Sequence, residues 1–164
     1  MNLSQICPKD QLNLKKVYFD SINSINEKIY SKDQKLAWAS QAWENPEFDK
    51  SILEGKGWKI SINKNIIGFA TRYPENRLSL FYIKGNLKRK GYGSLILDTI
   101  EEEALKDGIK KLEVEASLIS YRLLLKRNWE IIRKEEVLIK GIIFKRYRML
   151  KILKNKNKKA YQFE

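Results

Sequence analysis

The residue types and spacing that best suit chemistry lie in one short stretch, LKRKGYGSLIL, at positions 87–97. Three consecutive basic residues and two glycines precede an apolar run; they are Lys88, Arg89, Lys90, Gly91 and Gly93. If the apolar run begins a helix, its first backbone N–H groups lack partners within the helix and carry partial positive charge. Glycine lets an anion approach that backbone without meeting a Cβ atom. The stretch therefore indicates a phosphate site, or alternatively a tight turn whose lysines are simply solvated.

Two common phosphate-binding patterns do not fit this stretch. The P-loop requires G-x-x-x-x-G-K-[ST], a string that the chain does not contain. The dinucleotide fingerprint G-x-G-x-x-G requires a third glycine where Ile96 stands. A third pattern, [QR]-x-x-G-x-G, matches in spacing, with Lys88 for Gln or Arg before Gly91 and Gly93. The stretch thus fits a turn of this third kind.

The composition excludes several kinds of chemistry. The chain has no histidine and a single cysteine, Cys7. Ser-His-Asp and Cys-His catalysis, histidine-based metal sites and an internal disulfide are therefore excluded, and we expect no metal. The formal charge of +13 favours anionic binding partners, whether nucleic acid, an acidic surface or a phosphorylated small molecule. Because lysine is abundant throughout, the charge alone does not identify a substrate.

Length and hydropathy patterning predict one soluble domain. With 164 residues, of which 43% are hydrophobic, the chain can bury a single core. No apolar run reaches the ~20 residues that a membrane span needs. Residues 1–11 also lack the apolar stretch of a signal peptide. We expect one domain over 1–153, a basic tail over 154–164, and a cytoplasmic location without membrane contact.

The first third of the chain is predicted to be helical after a short strand. Residues 2–7 fit that strand, and apolar residues recur at helical spacing over 10–28. A capping box that begins at Ser31 favours a second helix over 32–42. Pro46, preceded by an asparagine N-cap, is typical of the start of a third helix.

The rest of the chain alternates strands with two helices. Strands are predicted at 58–62, 66–70, 78–83, 112–116, 129–139 and 142–150. A helix is predicted over GYGSLILDTIEEEALKDG, with Glu101–Glu103 largely outward and Gly108 at its end, and a short one over 117–127. The order β-α-α-α-β-β-β-α-β-α-β-β predicts the α/β class, with a mixed sheet and helices on its faces.

With these elements placed, the chain resembles the GNAT (GCN5-related) N-acetyltransferases over nearly its whole length. The segments that carry the resemblance are IYSKDQKLAWA, WKISINKNIIGFA, LFYIKGNLKRKGYG and LEVEASLISYRLLLKRNWEII. The first is similar to a bacterial single-domain subgroup, and the others look like the family's second to sixth strands. The resemblance implies a GNAT fold, in which a central mixed, mostly antiparallel sheet is flanked by helices.

The resemblance also implies a cosubstrate, acetyl-coenzyme A, whose pyrophosphate the glycine turn clasps in that family. The family's fourth strand splays from the fifth and pairs with the pantetheine arm, and an N–H near Ile83 would polarise the thioester carbonyl. The residues so implied for acetyl-CoA are Phe81, Tyr82, Ile83, Lys88, Arg89, Lys90, Gly91, Tyr92, Gly93, Ser94 and Ser117. Ser117 equally fits a helix N-cap, and both roles are compatible.

The implied reaction is the direct attack of an amine on the thioester of acetyl-CoA. Many relatives protonate the departing thiolate with a tyrosine, but Leu124 occupies that position here. Tyr82 and Tyr121 are candidates to replace it, although each also fits a packing role. Glu115, near the end of a predicted strand, is the candidate general base, with an exposed or ion-paired strand glutamate as the alternative.

The acceptor is the least defined part of this interpretation. Early helices usually roof the acceptor pocket in the family, so Tyr30 and Trp38 are candidates to line it, with core packing as the alternative. The acceptor would be a small-molecule or protein amine, including a tRNA-linked or ribosomal amine that the positive charge would favour. Two other functions stay open: a CoA-binding sensor without turnover, and a nucleic-acid-binding module using the basic segment from Lys145 to Lys159. Dimers are common in the family, which leaves a homodimer open as well.

Overall fold

The computed structural model describes residues 1–154, which form two sheets and five α-helices. The strands are β1 (Asn2–Gln5), β2 (Lys56–Ile62), β3 (Asn65–Arg72), β4 (Leu78–Ile83), β5 (Lys111–Ala116), β6 (Glu130–Ile139) and β7 (Ile142–Ile152). The helices are α1 (Gln11–Asn23), α2 (Lys32–Glu44), α3 (Pro46–Leu53), α4 (Tyr92–Lys106) and α5 (Tyr121–Lys126). Their order confirms the prediction from sequence. The predicted tail over 154–164 lies outside the described residues, apart from Lys154.

The strands form two sheets, and the division between the sheets falls between β4 and β5. The first sheet has the order β1-β2-β3-β4 and the second has the order β5-β7-β6, with antiparallel neighbours throughout. β4 and β5 are joined by a parallel bridge between Arg77 and Glu113, and beyond this bridge the two strands diverge. The α/β class and the splayed fourth and fifth strands agree with the GNAT resemblance.

Helices cover both faces of the first sheet because each presents one apolar stripe. α4 buries Ile96 and Ile100 in a core shared by strands of both sheets. On the opposite face, α1 buries Leu14 and Ile22 against Phe69 and its neighbours. The start of α4 and the end of α1 therefore lie on opposite sides of the gap between β4 and β5. Across the described residues, no helix has the length and apolarity that a membrane crossing needs.

The predicted start signals are confirmed. Ser31 and Gln34 form the capping box of α2, and the Asn45 side chain accepts a hydrogen bond from Glu47 N–H at the start of α3. The chain order and most element bounds thus follow from local signals.

The first helix is shorter than predicted. It ends at Asn23 rather than at residue 28. The Asn26 side chain accepts a hydrogen bond from Lys28 N–H at 2.9 Å, which offers the backbone a local turn in place of another helical turn.

The prediction that Glu101 faces outward is wrong. Its side chain is buried, accepts a hydrogen bond from Trp129 Nε1 at 2.9 Å, and pairs with Lys151 Nζ at 2.6 Å. Both partners come from the second sheet's side of the core, and a pattern within one helix does not reveal them.

Candidate functional site

A cleft of about 1070 Å³ opens where β4 and β5 diverge. The end of α1, the second half of β4, the loop before α4 and the first part of α5 form its walls. Among the described residues that line it, four are basic and none is acidic; the basic ones are Lys88, Arg89, Arg122 and Lys126. A cleft of this size and charge favours an extended anionic ligand.

The loop before α4 leaves the first turn of that helix open. Gly91 occupies the N-cap position with φ of 84°, and no side chain caps the helix there. A Cβ atom placed on Gly91 would meet no heavy atom within 4 Å. The N–H groups of the first turn of α4 are therefore available to a ligand, as an anion site requires. Arg89 also has a positive φ, 63°, which is uncommon for a residue with a side chain.

The same loop is tied to the end of α1. Lys88 Nζ donates hydrogen bonds to Ser21 O at 2.9 Å and to Ser24 Oγ at 3.0 Å. Gly85 N–H donates to the Asp20 carboxylate at 2.9 Å, and a Cβ on Gly85 would come within 2.2 Å of Ser24. Burial lowers the pKa of Lys88, while the nearby Asp20 charge acts in the opposite direction. Lys88 thus joins the loop to α1 as well as lining the cleft.

β4 directs backbone donors into the cleft. Lys84 N–H donates to Ile67 O at 2.8 Å, which makes these residues a hydrogen-bonded pair of the β3–β4 ladder. Because bonded and non-bonded pairs alternate, the next pair, Gly68 and Ile83, is non-bonded and Ile83 N–H points away from β3. Phe81 N–H points the same way for the same reason. Both residues line the cleft, so this edge of β4 can add a strand-like ligand.

Tyr121 brings a phenol to the opposite wall of the cleft. Its ring stacks on that of Tyr147 with centroids 4.3 Å apart, and Arg122 Nε donates to its hydroxyl at 3.3 Å. The hydrogen bond from Arg122 is the main cause that lowers the pKa of Tyr121, and burial opposes it. Leu124, at the position where the family resemblance implies a tyrosine, is fully buried in the core.

Aromatic side chains form the wall covered by α1 and α2. Tyr82 and Trp38 line the cleft, and the Tyr82 ring also packs against Tyr18 at 4.7 Å between centroids. Burial raises the pKa of Tyr82 well above its usual value, which makes its phenol a weak proton donor. Tyr30 lies behind this wall, 2% exposed, and its hydroxyl accepts a hydrogen bond from Leu118 N–H at 2.9 Å.

The Ser117 side chain caps the turn that leads into α5, whereas the N-cap position of the helix itself is occupied by Ser120. Ser117 Oγ accepts hydrogen bonds from Ile119 N–H at 3.2 Å and Ser120 N–H at 3.1 Å. Its own N–H donates to Ser120 Oγ at 3.1 Å. Since Ser117 also lines the cleft, capping does not prevent contact with a ligand.

Glu115, near the end of β5, precedes the cleft residue Ser117 by two positions but is not itself among the residues that line the cleft. Its Oε2 accepts a hydrogen bond from Arg77 Nε at 2.8 Å, and its Oε1 pairs with Arg148 at 3.5 Å. This is the ion-paired strand glutamate that the sequence offered as an alternative. The role of general base stays a prediction.

Most predicted site residues meet in the cleft. Those that line it are Trp38, Phe81, Tyr82, Ile83, Lys88, Arg89, Gly91, Ser94, Ser117 and Tyr121. Those outside its lining are Tyr30, Lys90, Tyr92, Gly93 and Glu115. Sequence reasoning missed Ser21, Ser24, Asn26, Ser120, Arg122 and Lys126. Arg122 and Lys126 stand four residues apart on one helix, a spacing that could have indicated a basic face.

Comparison with known proteins assigns the chain to a protein family. The family model described as "Acetyltransferase (GNAT) domain" matches residues 27–151, which include the whole cleft except the end of α1 and the turn that follows it. The chain belongs to the GNAT acetyltransferase family. This GNAT protein is therefore an acetyltransferase, and the resemblance inferred from its motifs is confirmed.

Solved structures share the fold of this GNAT protein. A GCN5-related N-acetyltransferase from Rhodopseudomonas palustris is 23% identical with a TM-score of 0.86, covering 93% of this chain and 95% of that one. The PaiA N-acetyltransferase of Thermoplasma acidophilum, solved with coenzyme A, is 17% identical with a TM-score of 0.70, covering 93% and 99%. YncA of Salmonella typhimurium, solved with its cofactor acetyl-CoA, is 15% identical with a TM-score of 0.64, covering 94% and 96%. No curated protein matches the chain.

Proposed function

We propose that this GNAT acetyltransferase binds acetyl-CoA in the cleft between β4 and β5 and transfers its acetyl group to an amine. One observation carries the proposal: the cleft combines an uncapped helix start, a strand edge with outward N–H groups, and basic side chains. The helix start and the basic groups suit a pyrophosphate, and the strand edge suits the amides of pantetheine. The CoA and acetyl-CoA in two structures of the same fold support this ligand.

The loop residues hold the pyrophosphate in this proposal. Backbone N–H groups from Arg89 to Ser94 donate to its oxygens, and the space beside Gly91 admits them. The side chains that add positive charge at the mouth are Arg89, Lys90, Arg122 and Lys126. Phe81, Tyr82, Ile83 and Ser117 contact the pantetheine arm.

Bound acetyl-CoA supplies an activated acetyl group. The neutral amine nitrogen attacks the thioester carbon, so that a C–N bond forms, the C–S bond breaks, and the nitrogen gives up a proton to solvent water. Ile83 N–H stabilises the carbonyl oxygen as it gains charge. Tyr121 donates a proton to the departing sulfur, and its lowered pKa brings it closer to the ~8.5 of a thiol. Solvent returns a proton to the Tyr121 phenolate at the end of the cycle.

A panel of amines tests the transfer. CoA release is followed with each amine, and the rate of acetyl-CoA hydrolysis without amine is subtracted. We expect turnover that depends on both acetyl-CoA and at least one amine. Tight binding of acetyl-CoA with no turnover by any amine would contradict transfer and leave a CoA-binding sensor.

A further inference from the structure

Two arginines and two glutamates share one face of the second sheet, and a third arginine, Arg77, reaches them from the position just before β4. The register places Glu115 opposite Arg148 and Glu135 opposite Arg146, and Arg77 reaches Glu115 from the start of the gap between β4 and β5. Arg146 Nε donates to Glu135 at 2.7 Å, and Arg148 reaches Glu135 at 3.4 Å and Glu115 at 3.5 Å. These five residues are called the arginine face below.

The arginine face retains hydrogen-bond donors for an anion. The two glutamate side chains are 16% exposed, whereas those of the three arginines are 31–37% exposed, so the guanidinium groups lie nearer to solvent. The three guanidinium groups together have about fifteen N–H donors, more than the roughly eight lone-pair sites of two carboxylates, and Arg148 Nε has no partner among the described residues. Although burial acts to raise it, hydrogen bonds from Arg146 and Arg133 lower the pKa of Glu135 to about 2. The face is therefore electropositive.

The arginine face lies on the side of β5 that faces away from α4, and β5 leads from it to the cleft residue Ser117. Val114 and Ala116 of β5 pack toward α4, so Glu115 points to the opposite side of the strand. Ser117, just beyond the end of β5, follows Glu115 by two residues, ~7 Å of extended backbone, and lines the cleft. Arg77 is close enough for its charge to lower the pKa of Tyr82, against the larger effect of burial.

We propose that the arginine face binds a carboxylate of the acceptor, an inference that rests on the proposed function. The substrates are then amines whose carboxylate lies several bonds from the nitrogen. Guanidinium forks bind carboxylates through paired hydrogen bonds. The distance between Glu115 and Ser117 disfavours α-amino acids, whose amine and carboxylate share one carbon. Polyamines lack the anionic group, and the net positive charge of the face repels them.

A matched pair of amines tests this inference. ε-Aminocaproate and hexylamine have the same chain length and differ in the terminal carboxylate. Binding of each to the CoA-loaded enzyme is measured by calorimetry, and acetylation of each by CoA release. We expect ε-aminocaproate to bind about 10-fold more tightly, the effect of one charge-assisted hydrogen bond or more.

Variants then locate the preference. Arg77→Gln and Arg148→Gln should each remove most of it, without changing the affinity for hexylamine or acetyl-CoA. Arg148→Lys keeps the charge but loses the forked pair of donors, so this variant should retain part of the preference for ε-aminocaproate. Arg127→Gln is the control, because Arg127 has a similar side-chain exposure, 30%, and pairs with Asp98 instead.

The outcomes separate this inference from the proposed function. The arginine face would be overturned as an acceptor site if the wild type bound the two amines equally, or if the variants weakened the binding of both amines equally. Acetylation of either amine would uphold acetyl transfer even then. If neither amine is acetylated, transfer to these acceptors fails, and the binding preference still decides the role of the arginine face.

Discussion

The ammonium group of Lys88 donates a hydrogen bond to the backbone carbonyl of Ser21 at 2.9 Å and so fixes the loop before α4 to the last turn of α1. Lys88→Ala should weaken acetyl-CoA binding about 10-fold, because the loop loses a charge-assisted anchor. Lys88→Gln restores the first residue of the [QR]-x-x-G-x-G pattern and keeps an amide donor. It should bind within about threefold of the wild type by calorimetry.

The neighbouring Lys90 provides the control for that comparison. Lys90→Ala removes the same charge from an exposed position. If Lys88→Gln and Lys88→Ala bind equally weakly, charge rather than anchoring is the contribution of Lys88.

Tyr121 is expected to act as the general acid. Tyr121→Phe should lower kcat about 10-fold, since a thiolate is a fair leaving group without help. A general acid must be protonated, so wild-type kcat should fall as the pH rises through the Tyr121 pKa, which lies below 10.0. The pH profile of Tyr121→Phe should lack this fall.

Tyr147→Phe is the matched control, because that ring stacks on Tyr121. It should keep kcat within about twofold and keep the alkaline fall. Identical profiles for the two variants would show that Tyr121 packs and does not donate a proton.

Glu115→Gln decides between two roles of that carboxylate. Because both of its oxygens already contact arginines, we expect it to orient Arg77 and Arg148. The variant should then raise KM for ε-aminocaproate and leave kcat with hexylamine within about twofold. A fall in kcat of about 100-fold or more with both amines would instead establish the general base predicted from sequence.

The buried contact between Trp129 and Glu101 contributes to stability. Trp129→Phe should lower the free energy of unfolding by about 1–3 kcal/mol, because it removes a donor from a buried carboxylate. Trp43→Phe, at a side chain that is 53% exposed, should change it by less than about 0.5 kcal/mol. Urea unfolding followed by circular dichroism measures both, and equal effects would contradict the role of this hydrogen bond.

The sequence predicts what local patterns determine. The strand over 78–83 has the predicted bounds because alternation and the flanking turn residues suffice to define it. The predictions for the end of α1 and for the exposure of Glu101 were wrong, since each feature depends on a particular side-chain partner. Turn chemistry at Asn26 is visible in the sequence, but its geometry is not.

The candidate site shows the same division. Residues near Gly91 were found because a contiguous motif carries them. Arg77 and Arg148 were not found, since they are far apart in the sequence and only the pairing of β5 with β7 brings both to Glu115. Sites assembled from separate strands carry no signal in a single sequence.

Calorimetric titration with acetyl-CoA tests the central claim most directly when Gly91→Asp is compared with Gly141→Asp. Both glycines have a positive φ, 84° and 76°, and a Cβ atom at either would meet nothing within 4 Å, so the backbone strain is matched. The account predicts micromolar binding by the wild type and by Gly141→Asp. It predicts binding roughly 10- to 100-fold weaker by Gly91→Asp, whose carboxylate would face the pyrophosphate. Equal affinity of the two variants would contradict the assignment of the cleft at the start of α4 as the acetyl-CoA site.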